Sequence, residues 1–379
     1  MRCVILNRNY PPNPGITGHS AAEIAEHLND RGVEVHIVTV GSNHRAKDGP
    51  NPSIEIHEVR DLYGGKNKLL RLIASLIEGR NMAAKAAALG IAPIITLTDP
   101  PLLNYWVARI CRRLQRPWIY WSMDIYPDAF VAAGLASPSG LLYRHFKRVS
   151  LASVPQHLVG LGQKQADYLQ AHYPERVPTS ILPCGVNPVE PAEHRPKWMP
   201  DDKKTTFCYI GNLGQAHDPR FVELVITALD PKIHHFYLSV YGIHAARLLR
   251  HAAQFSHVTV LPSVDRSELG FMDIHLASLE PAWDHVCVPS KAVSAVCAGG
   301  CLLLCASDQG DNWNLLHEAA WRIEPGSGMA EEVAGFVSKL TAAAVAEKRR
   351  RANSIREELI GMKSRAFDAV FDAVKTIAG

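Results

Sequence analysis

Short apolar runs of strand length alternate along this chain with stretches whose apolar positions recur every three or four residues, the pattern of buried parallel strands joined by amphipathic helices. Residues 3–6 read as the first strand. It opens into a loop over 7–19 holding Pro11, Pro12, Pro14, Gly15 and Gly18. Ser20 and Glu23 then form an S-x-x-E capping box for a helix that buries Ala21, Ile24, Ala25 and Leu28 and stops at Gly32. Residues 33–40 give the next strand. Leu69, Ile73, Leu76 and Ile77 mark a helix, 94–97 a buried strand, and Thr98-Asp99-Pro100-Pro101 a turn into a helix carrying Trp106 and Ile110. A strand at 118–121 empties into Ser122-Met123-Asp124-Ile125-Tyr126-Pro127-Asp128, which sets carboxylates at a strand end. Strand 157–161, helix 163–172 and strand 180–182 complete the first half.

Residues 187–200 carry Pro188, Pro191, Pro196 and Pro200 without apolar periodicity and read as a linker. Beyond it the alternation resumes, with strands at 206–210, 237–241, 258–261, 274–279 and 301–306 and helices near 222–229, 245–255 and 290–298. The stretch 329–377 is alanine-rich and helical, and its basic cluster at 348–351 reads as a surface turn between helices. Two α/β sheets in tandem predict two Rossmann-like domains facing a central cleft, the first over 1–186 and the second over 201–350. In such sheets ligands bind outside the carboxyl ends of the strands. Two loops stand there in the second domain. Gly211-Asn212-Leu213-Gly214-Gln215 follows a strand and lets backbone approach a ligand closely, and Val288-Pro289-Ser290-Lys291 opens a helix whose unpaired N–H groups, with a hydroxyl and an ammonium, suit a diphosphate.

At 379 residues the chain fits two domains, and 47% hydrophobic with 20% charged residues is a globular composition. A net charge of +3 gives no ground for nucleic-acid binding. None of the eight cysteines forms a C-x-x-C pair and most lie in or beside apolar strands, which predicts a reducing cytosol. The 18 histidines show no H-x-x-x-H or H-E-x-x-H, so no metal is expected. The polar start and the absence of an apolar run near ~20 residues predict a soluble protein. One helix near 141–149 combines Arg144, Lys147 and Arg148 with Leu141, Leu142 and Phe146, a face that either is solvated or lies on an anionic membrane. The pattern argues against a nicotinamide dehydrogenase, because the first βα loop has only Gly15 and Gly18 and the second strand ends Thr39-Val40-Gly41-Ser42 with no acid for a ribose.

Four segments, P-P-N-P-G-I-T-G-H (11–19), W-S-M-D-I-Y-P-D (121–128), Y-I-G-N-L-G-Q-A-H (209–217) and V-P-S-K-A-V-S-A-V-C-A-G-G (288–300), resemble in order and spacing the family-4 glycosyltransferases of GT-B fold. They look most like the bacterial branch of O-antigen and exopolysaccharide assembly, of colanic-acid type, that adds amino or deoxy sugars. The resemblance implies a retaining, metal-independent hexosyltransferase without cofactor. Its donor, a UDP- or GDP-sugar, is held by the second domain, and its saccharide or lipid-linked acceptor by the first. The final helix, 351–379, crosses back to the first domain. Carried over to this sequence, Gly18 lies near the donor phosphates, and Gly211, Asn212, Leu213, Gln215, Asp284, Ser290, Lys291 and Ser294 belong to the donor site. Asp124 stands beside the reacting sugar, with His19, Asp99 and Tyr126 on the acceptor side, and Asp124 and Lys291 are the catalytic pair.

The sequence departs from that pattern at Gln215, where many members have a basic residue, at Met123, where many have histidine, and at Val286 and Ser294, where glutamates are common. Glu280 and Asp284 lie close enough in sequence to serve in their place. No two carboxylates on opposing sides of one cleft can be picked out, which argues against a two-acid hydrolase. The runners-up are a nucleotide-sugar epimerase of the same architecture and a sugar-nucleotide-binding protein that has lost turnover.

Overall fold

The computed structural model describes residues 1–13, 15–41, 53–65 and 67–378. Pro14, Ser42 and the side chain of Leu69 lie outside the described residues. The chain divides into two compact units, Met1–Cys184 joined by the residues from Lys363 onward, and Gly185–Met362.

The first unit is built on β1 (Arg2–Leu6), β2 (Glu34–Val40), β3 (Glu55–Val59), β4 (Ile94–Thr96), β5 (Trp118–Ser122), β6 (His157–Gly160) and β7 (Thr179–Ile181). They pair in the order β3-β2-β1-β4-β5-β6-β7, every pairing parallel. Its helices are α1 (Ile16–Asp30), α2 (Lys68–Leu89), α3 (Leu103–Leu114), α4 (Asp128–Ala132), α5 (Leu141–Ser150) and α6 (Gln163–His172). The central strands are buried along their length, which is why they read as continuous apolar runs: Val4, Leu6, Val38, Trp118, Tyr120 and Leu158 pack with Met82, Leu103 and Val107 of the helices. Because β1 pairs with both β2 and β4, the loops leaving β1 and β4 diverge and leave a crevice at their carboxyl ends.

Helix α1 starts four residues before the expected cap. Ser20 is buried inside it, and no side chain caps its first turn. The helix can begin early because Gly15, at φ 147°, reverses the chain, and because Gly18 lets the first turn lie on the loop: a Cβ there would stand 3.1 Å from the Asn9 carbonyl. Helix α2 also turns unexpectedly. Ile73 and Ile77 are 46% and 43% exposed, whereas Glu78 is fully buried. The reason is polar: the Glu78 carboxylate accepts from Arg8 Nε at 2.9 Å and from the Leu62 N–H at 3.0 Å.

The second unit repeats the scheme with β8 (Thr205–Asn212), β9 (His234–Tyr241), β10 (Val258–Val260), β11 (Ile274–Ser278), β12 (Cys301–Cys305) and β13 (Ala320–Ile323), all parallel, in the order β10-β9-β8-β11-β12-β13. Its helices are α7 (Pro219–Ala228), α8 (Ala245–Ala252), α9 (Ser290–Cys297), α10 (Asp311–Leu316), α11 (Met329–Lys339) and the long α12 (Ala342–Ala378). Asp218 caps α7 by accepting from the Arg220 N–H, with Pro219 in the first turn. Phe207, Phe221, Phe236, Ile274 and Leu303 fill the core. The proline-rich residues 187–200 are more than a spacer. Met199 is buried against Cys208 and Tyr237, with Trp198 packed beside it. The basic cluster at 348–351 is likewise no turn. It lies inside α12, where Arg349 binds Asp273 at 2.7 Å and the Gly270 carbonyl at 2.6 Å, and Lys348 donates to the carbonyls of His317 and Glu318. Farther along α12, Lys363 binds Glu23 at 2.8 Å, and Phe367 meets Trp121 and His27 edge-on. No disulfide joins any of the eight cysteines.

Candidate functional site

In the second unit the switch point falls between β8 and β11. Strand β8 ends on Gly211 (φ 121°) and Asn212, and the next turn is fixed by the N–H of Leu213 donating to the Tyr241 carbonyl at 2.7 Å. Gly242 makes room for it. A Cβ there would fall 2.2 Å from Asn212 Oδ1. Asn212 and Gln215 are exposed at this edge, and Leu213 is buried beneath it. From β11 the chain passes Glu280, whose N–H donates to the Ala216 carbonyl at 2.9 Å, makes a 3-10 turn at Pro281–Trp283 and enters α9.

Lys291, in the first turn of α9, does not extend into solvent as a bare first-turn lysine would. Its Nζ donates to the Asn212 carbonyl and the Tyr209 hydroxyl and lies 4.5 Å from the Tyr209 ring centroid. Burial brings its pKa down from 10.5 to about 7. Among the described residues no carboxylate offsets that desolvation. His217 stands in the same region, its Nδ1 at 2.5 Å from the Ser278 carbonyl; burial, reinforced by the charge of Lys291, pushes its pKa down to about 3 and keeps the ring neutral. The structure thus brings Gly211, Asn212 and Lys291 together and adds Tyr209 and His217. Two other expected contacts turn inward. Ser294 Oγ donates to the Gly185 carbonyl at 3.3 Å, and Asp284 is buried against Gly310, where a Cβ would come within 3.2 Å of Asp284 Oδ1. Ser290, partly buried, meets Gly185 closely: a Cβ on Gly185 would lie 2.5 Å from the Ser290 carbonyl oxygen.

The first unit's crevice is lined by the loops after β1, β4 and β5. The Arg8 N–H donates to the Asp99 carbonyl at 2.7 Å and Asn9 Nδ2 to Asp99 Oδ2 at 2.6 Å. Asn7 Nδ2 bridges the Asn9 carbonyl and Thr17 Oγ1. The Asp124 N–H donates to Thr98 Oγ1 at 3.2 Å, and the carbonyl of Tyr126 accepts from Asn104 Nδ2 at 3.1 Å. Burial raises the pKa of Asp99 to about 6, against the pull of Arg8, and raises that of Asp124 to about 6 with Asp99 adding to the effect. The sequence offered no such pair of carboxyl groups. The fold creates it by bringing β4 and β5 together. His19 is exposed on α1, whereas Gly18 is buried against Asn9. Asn7, Arg8, Asn9 and Glu78 were missed; the polar run at the end of the first strand was the available signal.

Residues 17–185 match the family described as glycosyl transferase 4-like domain. No curated protein sequence matches the chain. Among solved structures, WaaG, a glycosyltransferase involved in lipopolysaccharide biosynthesis, superposes with a TM-score of 0.66 at 16% identity over 97% of this chain and 99% of its own. Anabaena HepE in complex with UDP and glucose gives 0.68 at 13% identity over 98% and 99%, and sucrose-phosphate synthase from Thermosynechococcus elongatus 0.68 at 14% over 98% and 100%. The fold is that of the GT-B glycosyltransferases.

Three of the four unusual positions of this GT-B chain, all but the exposed Gln215, are taken up by packing. Val286 is fully buried, Met123 nearly so, and Ser294 ties α9 to Gly185. Helix α5 shows another difference from the sequence reading. Lys147 does not share an outer basic face with Arg144 and Arg148; it bonds Asp128 at 3.2 Å and the hydroxyls of Tyr143 and Tyr168. The cation is drawn in because Asp128 is buried and takes it as a counter-charge. No helix among the described residues is long and apolar enough to cross a membrane.

Proposed function

We propose that this protein is a retaining, metal-independent hexosyltransferase. It moves a sugar from a UDP- or GDP-linked donor to a saccharide or lipid-linked saccharide, in the assembly of a cell-surface polysaccharide or glycoconjugate. The observation that carries the reading is Lys291, a desolvated ammonium with no carboxylate partner among the described residues, set at the carboxyl end of β8 beside the exposed Asn212. A leaving diphosphate gains charge as the glycosidic bond breaks, and such a cation with the N–H groups of α9 can stabilise it. The complexes of HepE with UDP and UDP-glucose favour a uridine donor. Asp124 is assigned to the acceptor hydroxyl or the transferred sugar, with Asp99 and Tyr126 beside it in the same unit.

A panel of UDP- and GDP-sugars tests this. One donor should raise stability by roughly 2.7 kcal/mol at ~100 times its dissociation constant and be consumed only when an acceptor saccharide is present. Turnover should persist in EDTA. Chelation that abolishes turnover, with recovery in magnesium or manganese, would refute the metal-free reading, and an epimerised donor formed without acceptor would refute transfer itself.

We further assign the protein to the cytoplasm, in contact with the inner membrane face through α5. There Leu141 and Leu142 are 82% and 73% exposed, next to the exposed Arg144 and Arg148. Arg144→Ser with Arg148→Ser should abolish sedimentation with anionic vesicles while leaving the melting midpoint unchanged; retained binding would remove α5 from the interface.

A further inference from the structure

Strands β2 and β3 bring together three side chains that the sequence keeps apart. His36 lies opposite Glu55 in the parallel register, and His57 lies two residues farther along β3, on the same face as Glu55. Nδ1 of His36 and Nε2 of His57 face each other at 3.0 Å; Glu55 places Oε2 at 3.4 Å from the first and Oε1 at 3.4 Å from the second. Two ligands each ~2.0–2.1 Å from a tetrahedral zinc ion are separated by roughly 3.3 Å, close to the distance between the two ring nitrogens and to that from each nitrogen to its own oxygen of the Glu55 carboxylate. It is the one such group of histidine, cysteine or carboxylate side chains among the described residues.

A second observation comes from the far side of the ring. The other nitrogen of His36, Nε2, lies 3.0 Å from Glu34 Oε1, and Glu34 is in turn held by Arg2 Nε at 3.1 Å. A histidine that gives one nitrogen to a metal ordinarily donates the other N–H to a carboxylate, which fixes its tautomer and makes it a stronger ligand. Here Glu34 is in place as that partner. His36 is almost wholly buried, so its ring cannot swing away, whereas Glu55 is exposed and leaves the fourth direction open to water.

We propose that His36, His57 and Glu55 form a binding site for a zinc-class divalent cation, with Glu34 orienting His36 and solvent as the fourth ligand. With its Nε2–H on Glu34, His36 offers the Nδ1 lone pair. The proton that His57 Nε2 shares with that lone pair moves to His57 Nδ1 as both facing nitrogens turn to the cation. His36 and Glu55 lie near the amino ends of β2 and β3, at the opposite end of the sheet from Asp99 and Asp124. The cation therefore clamps the edge strand β3 onto the sheet and takes no part in transfer.

Full-length untagged protein, stripped with chelator and dialysed, should bind one equivalent of zinc by calorimetry, and cobalt in its place should give the intense visible absorption of a four-coordinate site. Zinc should raise the melting midpoint of the wild type but not of His57→Ala, and Glu34→Gln should weaken zinc by ~10–100-fold without changing the stoichiometry. Glu55→Gln, at an exposed position that the fold does not need, should also lose the cobalt spectrum. The proposal is overturned if the wild type takes up no saturable equivalent, or if His57→Ala and Glu55→Gln bind zinc as the wild type does.

Discussion

Lys291→Ala should lower transfer at least ~10-fold and by as much as ~150-fold. A charge-assisted bond is worth about 1.5–3 kcal/mol, each 1.36 kcal/mol is a factor of ten, and the bond strengthens as the diphosphate departs. Steady-state kinetics should show the loss both in donor KM and in kcat. The fold should tolerate the change, since the Tyr209 hydroxyl still donates to the Asn212 carbonyl, at 3.0 Å. The pH dependence follows from the lysine's pKa, about 7 in the folded protein and 10.5 when unperturbed. Donor capture needs the ammonium, so affinity should fall as pH rises through 7, and binding a UDP-sugar at pH 8 should take up a proton from the buffer. Stability moves the other way. Between about 7 and 10.5 the unfolded chain holds this proton and the folded one does not, so Lys291 makes the protein more stable as pH rises across that window. Unchanged kinetics in a folded Lys291→Ala would remove the diphosphate from this position.

Asp124→Asn should cut turnover by ~10²–10⁴-fold, the usual contribution of a positioned proton-transfer group, while donor affinity, assigned to the other unit, stays within about a factor of two. The same substitution should stabilise the protein. The folded carboxyl has a pKa of about 6 against 3.8 unperturbed, so folding favours its proton; the stability this provides is complete below 3.8 and lost as pH rises through 6. Asparagine avoids the burial of that charge. Melting midpoints should therefore rise at pH 8, by the equivalent of about 1–2 kcal/mol after discounting for partial exposure, and match the wild type at pH 3.5. A destabilised Asp124→Asn at pH 8 would mean that the carboxylate is structurally required and would take it out of the proton-transfer role.

What could be read from the sequence was whatever leaves a periodic trace. The runs around Val4, Ile95, Ile119 and Leu303 are apolar because both sheet faces are covered, and each proved to be a buried strand. Strand β3, E-I-H-E-V, left no such trace, since an edge strand open to solvent can be charged at alternate positions. The start of α1 was misplaced because Ser20 and Glu23 imitate a cap, while the real start relies on backbone freedom at Gly15 and on the fit of Gly18 against Asn9. Of the site, Gly211, Asn212 and Lys291 were legible as two loops of fitting chemistry. That Lys291 lies over Tyr209 was not, because the contact joins positions 82 residues apart and depends on β8 lying next to β11. The pairing of His36 with His57 was hidden in the same way, by a register that no local spacing encodes.

Helix α12 gives the chain an order of events during synthesis. The first unit's strands are all made by Ile181, yet the side chains that cover Glu23, His27 and Trp121 come from Lys363 and Phe367, after the whole second unit. At ~5–20 residues per second the ribosome spends roughly 10–40 s on the intervening stretch. For that time the nascent first unit waits with an apolar strip uncovered, the place where Ala366, Phe367, Val370 and Val374 are later buried. A chain released before Lys363 would carry a sheet that is complete and a surface that is not.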